Sequence, residues 1–299
     1  MIKLLLTGAS GFLGSQMKPI LSREYDVTSL GKRCDNDIQC DLSKEEAFVN
    51  ERYDVVVHAA GKAHVFPRSS EEIAAFYDVN YNGTINLCKA LEKAGCPKCF
   101  VFISTVAVYG SDSGEGIHED HPLNGKTPYA KSKILAEGYL KDWCEEHDVI
   151  LTILRPSLIA GPNPPGNLGS MIKGIESGRY VSIDEGKARK SVVMAEDVAN
   201  IILLAADNGG VYNVCDDSNP MFRELELLIC SQLSKNAPLN IPMWMARCMA
   251  LCGDLIGERA PFNSNKLLKM TQSLTFSNEK ARKELGWKPM NVLKNFQIR

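Results

Sequence analysis

Two kinds of apolar run alternate along the first half of the chain. The short kind is continuous, as in "IKLLLTG" (2–8), "YDVVVHAAG" (53–61) and "VILTILRP" (149–156). Such runs lack polar alternation, the pattern of strands buried on both faces. "YDVTSL" (25–30) and "CFVFISTVAVYG" (99–110) read as two further strands. The long kind repeats at helical spacing: "GFLGSQMKPILSRE" (11–24), "NYNGTINLCKALEKAG" (80–95) and "PYAKSKILAEGYLKDWCEEHD" (128–148). Strand and helix taking turns in this way predict an α/β chain with a doubly wound parallel sheet.

After "AGPNPPGN" (160–167) the rhythm breaks, and single elements follow in "KSVVMAEDVANIILLAA" (190–206), "GVYNVCDD" (210–217) and "FRELELLICSQL" (222–233). The expected division is a nucleotide-binding Rossmann domain over 1–163, completed by parts of 190–215. A smaller, mainly substrate-binding region over 164–299 is interleaved with it. Within the apolar stretch 241–257, Trp244, Cys248, Leu251 and Leu255 share one helical stripe, which is expected to pack on the core. Arg247 and Asp254 interrupt that stretch, so it is not read as a membrane span.

Composition narrows the function classes. Lys and Arg number 34 against 36 acids, a net charge of −2, and no basic tract offers a nucleic-acid surface. The start "MIKLLLTGAS" is too short for a signal-peptide core. Ten scattered cysteines read as reduced thiols. Together these imply a cytoplasmic protein with neither a membrane nor a nucleic-acid partner. Cys96 and Cys99 form a C-x-x-C, but no second pair or histidine cluster completes a metal site, so none is expected.

"TGASGFLG" sets Gly8, Gly11 and Gly14 between the first strand and the first helix. Glycines there let the backbone turn tightly and approach a pyrophosphate that faces the positive end of the helix. The spacing G-x-x-G-x-x-G departs from the usual G-x-G-x-x-G, but its place in the chain is the one dinucleotide binding requires. Past the second strand, where an acid would grip a ribose hydroxyl, stand Gly31, Lys32 and Arg33. A guanidinium can pair with a 2′-phosphate through two parallel hydrogen bonds, which favours NADP over NAD. A solvated basic turn fits the same residues.

In "TPYAKSK" (127–133), Tyr129 and Lys133 lie one helical turn apart, with Pro128 suited to the first turn and Thr127 to the cap. On spacing alone they are either an acid–base pair or two surface residues.

Several short motifs stand in order: "TGASGFLG", "DL" (41–42), "HAAG" (58–61), "VNYNGT" (79–84), "ISTVAVYG" (103–110), "PYAKSK" (128–133), "LRP" (154–156) and "EDVA" (196–199). With them the chain resembles the extended short-chain dehydrogenase/reductases, the NAD(P)-dependent sugar epimerase/dehydratase family. The likeness runs from Lys3 to about Asn213, and "KARKELGWKP" (280–289) extends it. The resemblance implies that Gly8, Gly11, Phe12, Leu13 and Gly14 hold a pyrophosphate and that Asp41 and Leu42 flank the adenine. It places Ala59, Ala60, Gly61 and Pro156 along the cofactor. Thr105 takes the position of the catalytic hydroxyl, with Ser104 as competitor because neighbouring side chains on a strand point oppositely. Tyr129 becomes the acid–base residue and Lys133 its helper. Relatives that dehydrate carry an Asp-Glu pair after the catalytic hydroxyl. Here Val106 and Ala107 follow Thr105, which argues against dehydration.

The chemistry suits these groups. A free phenol, with pKa about 10, is a poor base at neutral pH, and a nearby ammonium should lower it. Substrate contacts are expected at His64, Asn167, Arg189 and Lys190, the last three in loops that hold a nucleotide diphosphate in the relatives. The implied activity is a nucleotide-sugar 4-epimerase using NADP or NAD on a UDP-linked substrate, with a homodimer by analogy. Alternatives are an NADPH-dependent 4-keto-sugar reductase, a hydroxysteroid-type dehydrogenase, and a non-catalytic NADP sensor.

Overall fold

Leu4 and Leu6 face one way from the first strand and Leu5 faces the other, yet all three are wholly buried. The structure, a computed structural model, describes residues 1–256 and 262–298. Its early strands are β1 (Ile2–Thr7), β2 (Tyr25–Gly31), β3 (Ile38–Gln39), β4 (Val55–His58) and β5 (Cys99–Ile103). Later come β6 (Gly114–Ile117), β7 (Ile150–Pro156), β8 (Leu158–Ala160), β9 (Val181–Ile183), β10 (Val192–Met194), β11 (Gly210–Val214), β12 (Leu239–Ile241) and β13 (Leu274–Phe276). Seven of these form one sheet in the order β11-β7-β5-β4-β1-β2-β3, every neighbouring pair parallel. The rest pair off as β8 with β10, β9 with β12, and β6 with β13.

The helices explain why the strands are apolar throughout. They are α1 (Phe12–Leu21), α2 (Ser70–Tyr77), α3 (Gly83–Ala94), α4 (Pro128–Glu146), α5 (Gly166–Glu176), α6 (Ala195–Ala205), α7 (Phe222–Leu233), α8 (Met243–Ile256), α9 (Ser264–Thr271), α10 (Glu279–Leu285) and α11 (Val292–Asn295). Met17 and Leu21 of α1 join Ile201 and Ile202 of α6 over Leu4, Val57 and Val101. On the opposite face Leu87 and Leu91 of α3 meet Leu140 and Trp143 of α4 over Leu5, Val56 and Phe100. This is the doubly wound sheet expected from the alternating runs. Trp287, beyond α10, returns to the first of these cores, whereas Val292, Phe296 and Ile298 pack in a separate core with α5 and α7. Strand order reverses between β1 and β4, and ligands of such sheets settle outside the strand ends at that point.

Two expectations need correction. The run 99–110 is not one strand. β5 stops at Ile103, and a 3-10 turn follows over Val106–Tyr109 with Thr105 capping Ala107 N–H at 3.2 Å. The turn is pulled inward by Tyr109, whose hydroxyl donates to Asn213 Oδ1 at 2.6 Å and whose ring stacks on Phe276. The stripe of Trp244, Cys248, Leu251 and Leu255 does not pack on the core either. All four are exposed, and α8 turns Ala246, Ala250 and Gly253 inward. The reason is contact distance: a Cβ on Gly253 would lie 1.8 Å from the Phe262 carbonyl oxygen, so only the small face can approach so closely. Gly257, the last residue of the apolar stretch, lies outside the described residues.

Candidate active site

The crevice at the sheet's reversal point is lined first by glycines. Gly8 follows β1 with φ +76°, and a Cβ there would lie 2.6 Å from Ala60 N. At Gly14 a Cβ would lie 2.1 Å from Gly8 carbonyl oxygen, so the helix and the loop touch backbone to backbone. No side chain caps the start of α1 at Gly11, and its first turn holds no acid. The first N–H groups of Phe12, Leu13 and Gly14 are therefore left for an anion. This cradle fits a dinucleotide pyrophosphate, and any side chain on Gly8 or Gly14 would collide with the backbone that forms it.

Ala59, Ala60 and Gly61 continue from β4 into the same crevice, held by Ala60 N–H donating to Thr7 Oγ1 at 3.1 Å. Behind them His58 is wholly buried, its Nδ1 2.6 Å from Thr7 Oγ1 and its Nε2 3.0 Å from Thr84 Oγ1. Burial, aided by the charge of Lys133, pushes its pKa down to about 3, so the ring is neutral at ordinary pH. On the far side, Lys32 pairs with Asp41 at 2.9 Å. Burial works against the Asp41 carboxylate, but hydrogen bonds from Ser43 and Lys32 hold its pKa below the usual value. Leu42 is buried, its carbonyl accepting from Asn86 at 2.8 Å. The basic turn is thus divided: Lys32 is engaged, while Arg33 is exposed and forms no ion pair among the described residues. Pro156 is buried at the end of β7, in register with Val214.

The reacting groups expected from the sequence lie together. Thr127 caps α4 by accepting from Ala130 N–H at 3.1 Å, and Pro128 occupies the first turn, which sets Tyr129 at the helix start. Thr105 faces Tyr129 closely enough for its hydroxyl to act on the phenol. Burial pushes this phenol above the ordinary value, and the Thr105 hydroxyl pulls only partly against this. The lowering expected from Lys133 does not enter: burial and Thr105 alone act on the phenol. Burial instead brings the Lys133 ammonium down to about 7, against the opposing charge of Glu137. Its Nζ donates to Ile103 carbonyl oxygen at 2.7 Å and stands over the Phe102 ring. A Cβ on Gly61 would sit 3.5 Å from that Nζ, which ties the lysine to the cofactor crevice.

Ser104 and Thr105 are sorted by what lies on either side. Ser104 is buried and donates to Glu137 Oε1. Glu137 in turn receives a forked pair from Arg155, at 3.1 Å and 2.6 Å. Ser104 thus belongs to a buried ion network, and Thr105 alone of the two meets Tyr129.

Sequence reasoning missed Asn80 and Glu137. Asn80 sits in a π-helical turn over Asp78–Asn82, a frequent mark of functional sites. It accepts from Lys62 N–H and donates to Lys62 carbonyl oxygen and Ser132 Oγ, tying the loop after β4 to α4. The "VNYNGT" motif was its only signal, and a residue type without titratable chemistry drew no notice. Glu137 follows Lys133 by four residues, a spacing visible in the sequence.

The expected substrate contacts are more dispersed. His64 is exposed with φ +60°, its ring against Gly166 at the start of α5, one residue before exposed Asn167. Arg189 and Lys190 lie elsewhere, donating to the carbonyl oxygens of Asn219 and Gln272. Burial brings Lys190 down to about 8.

The sequence model of the NAD dependent epimerase/dehydratase family matches residues 4–215. A relative in Escherichia coli O157:H7, an N-acetyl-α-D-glucosaminyl-diphospho-ditrans,octacis-undecaprenol 4-epimerase, is 27% identical, covering 92% of this chain and 87% of its own. The UDP-glucose 4-epimerase of Vibrio cholerae is 28% identical, covering 97% and 92%. Among solved structures, the Thermotoga maritima UDP-glucose 4-epimerase with UDP-glucose superposes with a TM-score of 0.74 at 21% identity, over 98% and 96% of the two chains.

Proposed function

The chain belongs to the NAD dependent epimerase/dehydratase family, and on that footing we propose that it is an NAD(P)-dependent 4-epimerase of diphosphate-linked sugars, acting on UDP-hexoses among them. The observation that supports this reading is Tyr129 facing Thr105 at the start of α4, with Lys133 one turn on and against Gly61 of the cofactor crevice. Both relatives named above act at C4 of a sugar. Gly8, Gly11 and Gly14, with the N–H groups of Phe12, Leu13 and Gly14, hold the pyrophosphate; Arg33 gives NADP an advantage. The cofactor, when bound, supplies a hydride acceptor that can return the hydride to either face of the sugar.

The chain's own residues manage the proton. Thr105 Oγ1 positions the C4 oxygen, and Tyr129 takes its proton as the oxygen becomes a carbonyl and gives one back as the alcohol re-forms. Lys133, one helical turn on and against Gly61, is the residue whose charge, when protonated, would ease the phenol's ionisation. The reductase alternative uses the same three residues, and its support is the free guanidinium of Arg33. Purified protein, supplied with NAD or NADP far below substrate concentration, should interconvert UDP-glucose with UDP-galactose or UDP-N-acetylglucosamine with its C4 epimer. No conversion, alongside stoichiometric NADPH oxidation by a UDP-4-keto-6-deoxy sugar, would replace this reading with the reductase.

A further inference from the structure

We propose that the outer face of α8 docks this protein on the surface of a lipid bilayer, where the site meets a sugar whose diphosphate is carried by a polyprenol. The inference rests on the 4-epimerase reading above and adds to it the carrier and the place of action.

Its first ground is a helix packed in reverse. Amphipathic helices of globular proteins turn bulky apolar residues inward and polar ones outward. In α8 the inward positions are Ala246, Ala250 and Gly253, and the small core they join holds Ile183, Ile241 and Leu267. Outward stand Trp244 at 66% exposure, Leu251 at 63% and Leu255 at 90%. Leu239, on the strand leading into α8, is 73% exposed. Exposed apolar surface on this scale marks an interaction site. A tryptophan among leucines on one helical face is the composition of helices that lie in a membrane interface.

Charge points to the same occupant. The two charged residues on the described part of α8, Arg247 and Asp254, are both exposed on one side of the helix, and Asp254 accepts from Ser264 N–H at 3.0 Å and Ser264 Oγ at 2.6 Å. Arg247 forms no ion pair among the described residues, and a cation at the edge of an apolar face suits anionic headgroups. No helix among the described residues is long and apolar enough to cross a membrane, so the contact is in the plane of the surface. The chemistry of the site supplies the purpose. A sugar diphosphate presents the same groups to the crevice whether a nucleoside or a polyprenol carries it, and the E. coli relative acts on the polyprenol form. A polyprenol-linked sugar stays at the bilayer, so an enzyme that uses it gains by staying there too.

The test uses vesicles of phosphatidylethanolamine and phosphatidylglycerol with the full-length protein. Trp143 and Trp287 are buried, so Trp244 dominates the solvent-sensitive emission. The wild-type protein should float with the vesicles, and its emission should shift to the blue. Leu251→Ser/Leu255→Ser, changes confined to exposed positions, should cut flotation at least tenfold while leaving turnover of UDP-linked sugar unchanged. Wild-type protein that stays in the soluble fraction with unmoved emission overturns the docking. So does a wild-type dimer that the double substitution splits by light scattering, since α8 is then a protein interface. UDP-sugar turnover on the same samples separates the two ideas. Turnover without flotation sinks the docking alone, and flotation without turnover of either a UDP-linked or a polyprenol-diphosphate-linked sugar sinks the epimerase reading alone.

Discussion

Lys133 is 3% exposed and sits between two electrostatic demands: burial strips its proton, and Glu137, one turn farther along α4, restores part of the preference for it. Its pKa near 7 lies below the ordinary lysine value, so the protonated fraction falls as pH rises through 7. If the ammonium supports ionisation of Tyr129, kcat/KM declines on that alkaline side. Glu137→Gln removes the charge that raises Lys133, and the declining limb should move to lower pH by roughly one unit. The change also breaks a buried pair with Arg155, at a cost of about 3–5 kcal/mol in stability, read separately as a lower Tm. A lower Tm with an unmoved limb would make Glu137 a structural partner only. Tyr129→Phe should lose about two orders of magnitude or more in kcat while NAD(P) binding persists, because the phenol is not part of the glycine cradle. Near-normal turnover in that variant would remove Tyr129 from the chemistry. The tyrosine, lysine and threonine could be named from the sequence only through the family resemblance, since the spacing of Tyr129 and Lys133 alone fitted two surface residues as well. Asn80 acts through amide hydrogen bonds to a loop 18 residues away, which spacing does not display.

At the scale of elements, the parallel strands and the helices between them read cleanly because the central strands, β1, β4 and β5 above all, are buried on both sides and carry almost no polar break. The end of β5 was not legible, since "STVAVYG" has strand-like composition throughout. Its turn is imposed from outside, by Asn213 receiving Tyr109 and by Lys133 capturing Ile103. The orientation of α8 was hidden for a related reason: a stripe of large apolar residues predicts burial, whereas the contact at Gly253 decides which face approaches. The join between loop and α1 gives the sharpest prediction at this scale. Gly14→Ala places a methyl 2.1 Å from Gly8 carbonyl oxygen, so the helix must shift away from the loop. NAD(P)H binding, followed by fluorescence, should weaken at least tenfold with a measurable loss of Tm. Unchanged binding would show that the cradle does not hold the pyrophosphate.

For the molecule as a whole, His58 links stability to pH. Its folded pKa of about 3 lies below the unfolded value of 6.5, so between these pH values the unfolded chain binds the extra proton. Stability is therefore lost as pH falls below 6.5, at up to about 1.4 kcal/mol per unit from this group. Buried Asp197 works in the opposite sense, its carboxyl pushed up to about 6 chiefly by burial, so it offsets part of the loss at lower pH. His58→Asn should flatten the fall in Tm below pH 6.5; an equally steep fall would place the titration elsewhere. The central claim is that one active site removes a hydride from C4 and returns it to the same carbon with no net redox change. The most direct measurement follows the label in a UDP-hexose carrying deuterium at C4, in the presence of excess unlabelled NAD(P)H. The account predicts that the epimer formed retains deuterium at C4. Loss of the label from the epimer, or a product that forms only with equivalent consumption of NADPH, would contradict it.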